Sequence, residues 1–117
     1  MLDVNVVLDK AQVGDKTKIA DLGCGTSGHF VFPASERVGK YGKVYAVYIL
    51  KTTLESVKRK ARLENLENIE TVWSDVEVFG ATKIEAGSLD VVLLVNTLVQ
   101  SHKRVEILRE SIRMMKK

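Results

Sequence analysis

The residues best placed to do chemistry form one run, Asp21-Leu22-Gly23-Cys24-Gly25-Thr26-Ser27-Gly28. Gly23, Gly25 and Gly28 fit the pattern G-x-G-x-x-G, which lets main chain approach a nucleotide-type ligand where a helix begins. Gly23 permits a tight turn, Gly25 a close approach, and Gly28 the packing of helix on strand. Alone, the pattern is weak. Its specificity comes from context, a strand before it and a helix after it within one βαβ unit. The competing reading is a strand-to-helix connection that merely happens to be glycine-rich.

Few other side chains are reactive. His29 and His102 are the only histidines and Cys24 the only cysteine, so neither a metal site nor an internal disulfide is expected. A lone thiol suits a reducing cytoplasm, the expected location. His29 borders the glycine turn and is a candidate for lining a ligand cleft, whereas His102 reads as a solvated residue near a helix start. Nothing identifies a general base. Lysine and arginine gather in two stretches, Lys51 to Arg62 and Lys103 to Lys117. Both read as solvated helix faces, with a nucleic-acid surface left open as the second reading.

The residues around the turn supply the elements that must position it. Lys18 to Leu22 reads as a short strand, and a helix follows from about His29 to Val38, closed by Gly39. Pro33 falls early in that helix, where it is tolerated. Ahead of them, Asp3 to Ala11 gives a short amphipathic helix with Val6 and Val7 inward, and Gly14-Asp15 turns the chain. After Gly42, Lys43 to Val47 is a β-branched and aromatic strand. Thr52 or Thr53 is the expected cap of a helix running to about Glu64, with Leu54, Val57 and Ala61 on one face. A third strand, Ile69 to Trp73, follows a turn bracketed by Asn65 and Asn68, and Val76 to Gly87 reads as loop.

Leu89 to Val95 is a continuous apolar run of the kind a parallel strand covered on both faces needs. The last helix runs from about Lys103 to Met115, its basic end complementing the helix dipole. Leu98, Val105, Leu108, Ile112 and Met115 recur at spacings of 7, 3, 4 and 3, which predicts a single buried stripe. Strands alternating with such helices imply right-handed crossovers and a mostly parallel sheet, an α/β fold.

A length of 117 residues gives one domain, 1–117, and 45% hydrophobic residues is too many for a disordered chain. Met1 to Lys10 contains Asp3 and Asp9 and reads as neither signal peptide nor anchor. The longest apolar run, Val91 to Val95, is far too short to span a bilayer, so no membrane association is expected. The fold class alone gives no function.

Three segments together carry a resemblance. Ile19-Ala20-Asp21-Leu22-Gly23-Cys24-Gly25 is similar to motif I of class I S-adenosylmethionine-dependent methyltransferases, usually V-x-D-x-G-x-G. Gly42-Lys43-Val44-Tyr45-Ala46-Val47 resembles that family's second strand, and Leu89-Asp90-Val91-Val92-Leu93-Leu94-Val95-Asn96 its fourth. The match runs from about Asp15 to Lys117. It implies a Rossmann-like, three-layer αβα fold with about four mostly parallel strands in the order 3-2-1-4. It also implies S-adenosylmethionine as cofactor, with methyl transfer from its sulfonium to an acceptor that this chain does not reveal.

The resemblance implies roles as well. Asp21 would orient the amides of the cofactor-binding turn Gly23, Cys24, Gly25 and Gly28, with Gly23 and Gly25 passing beneath the methionine portion. Asp75 and Val76 match positions that meet adenine, the carboxylate accepting its exocyclic amine. Asn96, Thr97 and Leu98 match positions lining the sulfonium side. Each has a plain reading too: Asp75 as a turn residue, Asn96 as a strand end.

Two features depart from the family. Its second strand ends in an acidic residue that takes both ribose hydroxyls; here Tyr48 stands in that place. A carboxylate accepts two hydrogen bonds, whereas a phenol offers one oxygen and one proton. The loss is worth roughly 1.5–3 kcal/mol per charge-assisted bond. Tyr48 can bond one hydroxyl or stack near the adenosine; alternatively it packs as an ordinary strand-end aromatic. Relatives also continue past the last helix into a fifth strand and a hairpin. The chain therefore reads as the cofactor half of a truncated methyltransferase fold, or as a fragment of a longer product. Its fourth strand lies at an edge, which a homodimer or partner chain is expected to cover. The competing function is a non-catalytic interaction subunit. A nicotinamide-binding half is a third reading, but it too would want an acid at position 48.

Overall fold

The computed structural model describes residues 3–22, 30–75, 80–94 and 104–116. Its elements are α1 (Val4–Lys10), β1 (Lys18–Leu22), α2 (Val31–Val38), β2 (Lys43–Tyr48), α3 (Lys51–Leu63), β3 (Ile69–Trp73), β4 (Val91–Leu93) and α4 (Arg104–Met114). The four strands form one sheet in the order β3-β2-β1-β4, and every pairing is parallel. That is the expected Rossmann-like arrangement.

Side chains alternate across the strands, and the sheet has a core on each face. Ile19, Val44, Ala46 and Leu93 join Leu8 of α1, Val31 of α2 and Leu54 and Val57 of α3. Ala20, Leu22, Val47 and Val72 meet Ile84, Leu89 and Met114 of α4 on the other side. Helices on both faces make the fold three-layered.

Several elements begin as the sequence indicates. Asp3 caps α1, its carboxylate accepting from the Asn5 and Val6 amides at 3.0 and 3.4 Å. Gly39, at φ +68°, closes α2. In α3, Leu54, Val57 and Ala61 are buried together as their spacing predicts. Gly42 is needed for space, because a Cβ there would sit 2.6 Å from the Val38 carbonyl oxygen and 2.8 Å from that of Thr17.

Other expectations are corrected. Val6 is 46% exposed, and Leu8 takes the core position; Val4, Val7, Leu8 and Ala11 share the inward face at helical spacing. Helix α2 spans Val31–Val38 with Phe30 at the cap position, and His29 lies outside the described residues. Neither Thr52 nor Thr53 caps α3. The extended Leu50 does so without a side-chain bond, and Thr53 is buried in the first turn. The two residues between β2 and α3 bring the helix in directly, so the strand end rather than a capping hydroxyl sets its start.

Strand β4 is shorter than the apolar run, spanning Val91–Leu93 with only Leu93 fully buried. Leu89 instead forms an isolated parallel bridge with Met115. Its amide donates to the Met114 carbonyl and its carbonyl accepts from the Lys116 amide, both at 2.8 Å. Among the described residues β4 pairs only with β1 as a strand, and its two valines are half-buried.

The largest correction concerns α4. Val105, Leu108 and Ile112 are 57%, 42% and 71% exposed, whereas Ile107, Glu110, Ser111 and Met114 are buried. The helix carries two stripes at helical spacing, and the sheet packs against the one that includes a charged residue. Leu98 lies outside the described residues.

Candidate functional site

Because all four strands run the same way, their C-terminal ends form one rim. The chain passes outward from β1 to β2 to β3, then returns to the opposite side of β1 with β4. The crevice at such a reversal, beyond the strand tips, is where open α/β sheets take ligands. The run that continues at Gly23 leaves β1 at this point.

Asp21 is the penultimate residue of β1, flanked in register by Ala46 of β2 and Leu93 of β4. Neighbours in register point to the same face, so its carboxyl lies between two apolar side chains. It is 3% exposed, and burial pushes its pKa from the ordinary 3.8 up to about 7. A carboxylate held there is stabilised by donors or a positive charge arriving at the strand tip.

Tyr48 ends β2, in register with Trp73, the last residue of β3. Its side chain is half-buried against the core on the α2 and α3 face. The Ser74 amide donates to the Tyr48 carbonyl at 3.0 Å, carrying the pairing one step past the strand. Asp75 follows, half-buried, at the same rim. Thus the structure brings Asp21, Tyr48 and Asp75 to one edge of the sheet. Gly23, Cys24, Gly25, Gly28, Val76, Asn96, Thr97 and Leu98 lie outside the described residues, as do His29 and His102. Among the described residues, no three His, Cys, Asp or Glu side chains converge as a metal site.

The rim holds residues that spacing alone did not single out. Ile49, Leu50 and Trp73 are each about half exposed, at 48%, 54% and 55%. The Trp73 indole donates to the Ile49 carbonyl at 2.6 Å, and the Lys51 ammonium lies 5.2 Å from its ring centroid. Their only signal in sequence is position, immediately after β2 and at the end of β3. Two open clefts, of about 510 and 480 Å³, lie away from this rim. One runs along α3 and β3 past Arg62 and Glu70, the other past Gly39, Lys43 and Asn68 at the opposite end of the sheet. Neither has the buried carboxyl or the strand-tip position, so chemistry points to the rim.

Comparison with known proteins bears on this geometry. A family model described as a methyltransferase domain matches residues 14–117. The chain belongs to this methyltransferase family. Among solved structures, a SAM-dependent methyltransferase from Aquifex aeolicus superposes with a TM-score of 0.81 at 21% identity, over 97% of this chain and 58% of that one. Coclaurine N-methyltransferase, solved with N-methylheliamine and SAH, gives 0.64 at 26% identity over 76% of this chain and 25% of that one. The [4+2]-cyclase SpnF gives 0.79 at 14% identity, over 97% and 40%. This methyltransferase domain therefore spans less than two thirds of the length of each. A comparison with curated proteins finds no match.

Proposed function

We propose that this methyltransferase domain seats S-adenosylmethionine on the rim formed by β1 to β4 and takes part in methyl transfer to an acceptor. The observation that carries the reading is Asp21: a buried carboxyl near the tip of the inner strand β1, at the reversal point, just ahead of a G-x-G-x-x-G run. The cofactor's ammonium and sulfonium make it a cation, and a positive ligand near this carboxyl favours its ionised form. The SAH in the coclaurine N-methyltransferase structure supports the same cofactor class.

When bound, the cofactor supplies a methyl group that an acceptor takes by in-line displacement, the carbon–sulfur bonding pair returning to sulfur. The protein's part is positioning and exclusion of water. Asp21 would orient the amides of the turn, and Gly23, Cys24, Gly25 and Gly28 would hold the methionine portion. Asp75 and Val76 would take the adenine, and Asn96 and Leu98 would border the reacting side. Tyr48 fits less well than the carboxylate it replaces, which predicts weakened ribose binding.

The test is calorimetric titration with S-adenosylhomocysteine and, separately, NAD, for the wild type and Tyr48→Asp. The expected result is binding of the first ligand only, tightened roughly tenfold to hundredfold in the variant. No heat with either ligand in either protein overturns the reading. It would favour the second one, a non-catalytic interaction subunit, for which Tyr48 packed on the core speaks.

A homodimer or partner chain over the β4 edge belongs to the proposal, as does a cytoplasmic location. Among the described residues no helix is long and apolar enough to cross a membrane.

A further inference from the structure

Helix α4 carries a buried carboxylate that the cofactor reading does not use. Glu110 is fully buried, and its two oxygens accept four hydrogen bonds. Oε1 takes the Gly80 amide at 2.7 Å and Arg113 Nε at 2.8 Å; Oε2 takes the Thr82 amide at 2.9 Å and Arg113 Nη2 at 2.9 Å. Arg113 then donates onward to the carbonyls of Thr82 and Ile84 at 2.8 and 3.1 Å. Thr82 is buried, and its hydroxyl lies 2.7 Å from that of buried Ser74. Ser74 directly precedes Asp75, and its amide is held by the Tyr48 carbonyl.

A buried ion pair is a poor way to gain stability, because apolar residues of similar size usually serve as well or better. What this one does is geometric. Burial alone would raise the pKa of Glu110, but Arg113 and the Gly80 and Thr82 amides outweigh it and hold the group at about 2. It is therefore ionised at every physiological pH, a fixed acceptor for two main-chain amides of the segment after β3. Gly80, at φ +80°, adopts a backbone conformation that favours glycine.

We propose that Glu110, with Arg113, is a positioning residue for adenine recognition: through Thr82 and Ser74 it fixes where Asp75 stands on the rim. This rests on the cofactor reading above. Its signature is selectivity, since a displaced Asp75 no longer distinguishes a base with an exocyclic amine from one with a carbonyl.

The experiment measures binding of S-adenosylhomocysteine and of its hypoxanthine counterpart, S-inosylhomocysteine, to the wild-type chain, Glu110→Gln, Thr82→Val and Thr82→Ser. Thr82→Val keeps the amide held by Glu110 and removes the hydroxyl that faces Ser74 and Glu110, so it covers the case in which Glu110→Gln fails to fold. The wild type is expected to prefer the adenine ligand by roughly tenfold to hundredfold, the worth of one hydrogen bond to a charged group. Thr82→Val, and Glu110→Gln if folded, should bring that ratio close to one, while Thr82→Ser retains it. Loss of stability alone would weaken both ligands equally. An unchanged ratio in folded Thr82→Val overturns the inference and leaves the cofactor reading standing. Absence of binding by the wild type overturns both.

Discussion

At the scale of single residues, Asp21 and Tyr48 carry the most consequence. Asp21 titrates near pH 7 in the folded chain and near its ordinary 3.8 when unfolded. Between those values the unfolded chain releases the proton first. Its contribution to stability is therefore greatest below about pH 4 and is lost as pH rises through 7. Asp21→Asn is expected to remove a slope of up to about 1.4 kcal/mol per pH unit in that window. Urea unfolding at several pH values checks this; identical slopes in wild type and variant would contradict it. Asp21 and Asp75 are candidates through the family resemblance. Glu110, Arg113 and Thr82 are not, because their importance lies in contacts between segments about 30 residues apart. A charge at helical spacing reads as solvated until its partners are seen.

At the scale of elements, local pattern located the described strands and helices well but misjudged which way some of them face. Helix α4 shows why. Spacing cannot choose between two stripes on one helix, and the sheet buries Ile107, Glu110, Ser111 and Met114 rather than the more apolar set. The cap of α3 was misread for a related reason, since the end of β2 delivers the chain into the helix before Thr52 is reached. Gly42, by contrast, was visible as punctuation, and the structure adds the crowding by Val38 and Thr17. Gly42→Ala is expected to destabilise the fold by about 1–3 kcal/mol, the range for overpacking. Thermal melts of the two proteins would show it, and an unchanged midpoint would mean that helix and strand separate more easily than this packing implies.

At the scale of the whole molecule, the order 3-2-1-4 follows from alternating strands and helices together with the family resemblance, and it places the reversal point beside Asp21. The same order leaves β4 at the margin, with Leu89 bridged to Met115, while Leu108 and Ile112 on α4 face outward. If a second copy covers this apolar surface, sedimentation will show concentration-dependent association that the double variant Leu108→Glu, Ile112→Glu abolishes. A wild-type monomer that stays soluble at all concentrations would contradict self-association. Both substitutions are at exposed positions, so they should alter stability by no more than about 0.5 kcal/mol.

On the proposed reading the cofactor sits on the rim of strand tips. Amide chemical shifts of the isotope-labelled chain, followed as S-adenosylhomocysteine is added, test it most directly. Shifts are predicted at Asp21 and Leu22, at Tyr48 to Leu50 and at Ser74 and Asp75, with Gly39 to Lys43 and Asn65 to Asn68 unmoved. Shifts confined to that opposite end, or none at millimolar ligand, would contradict it.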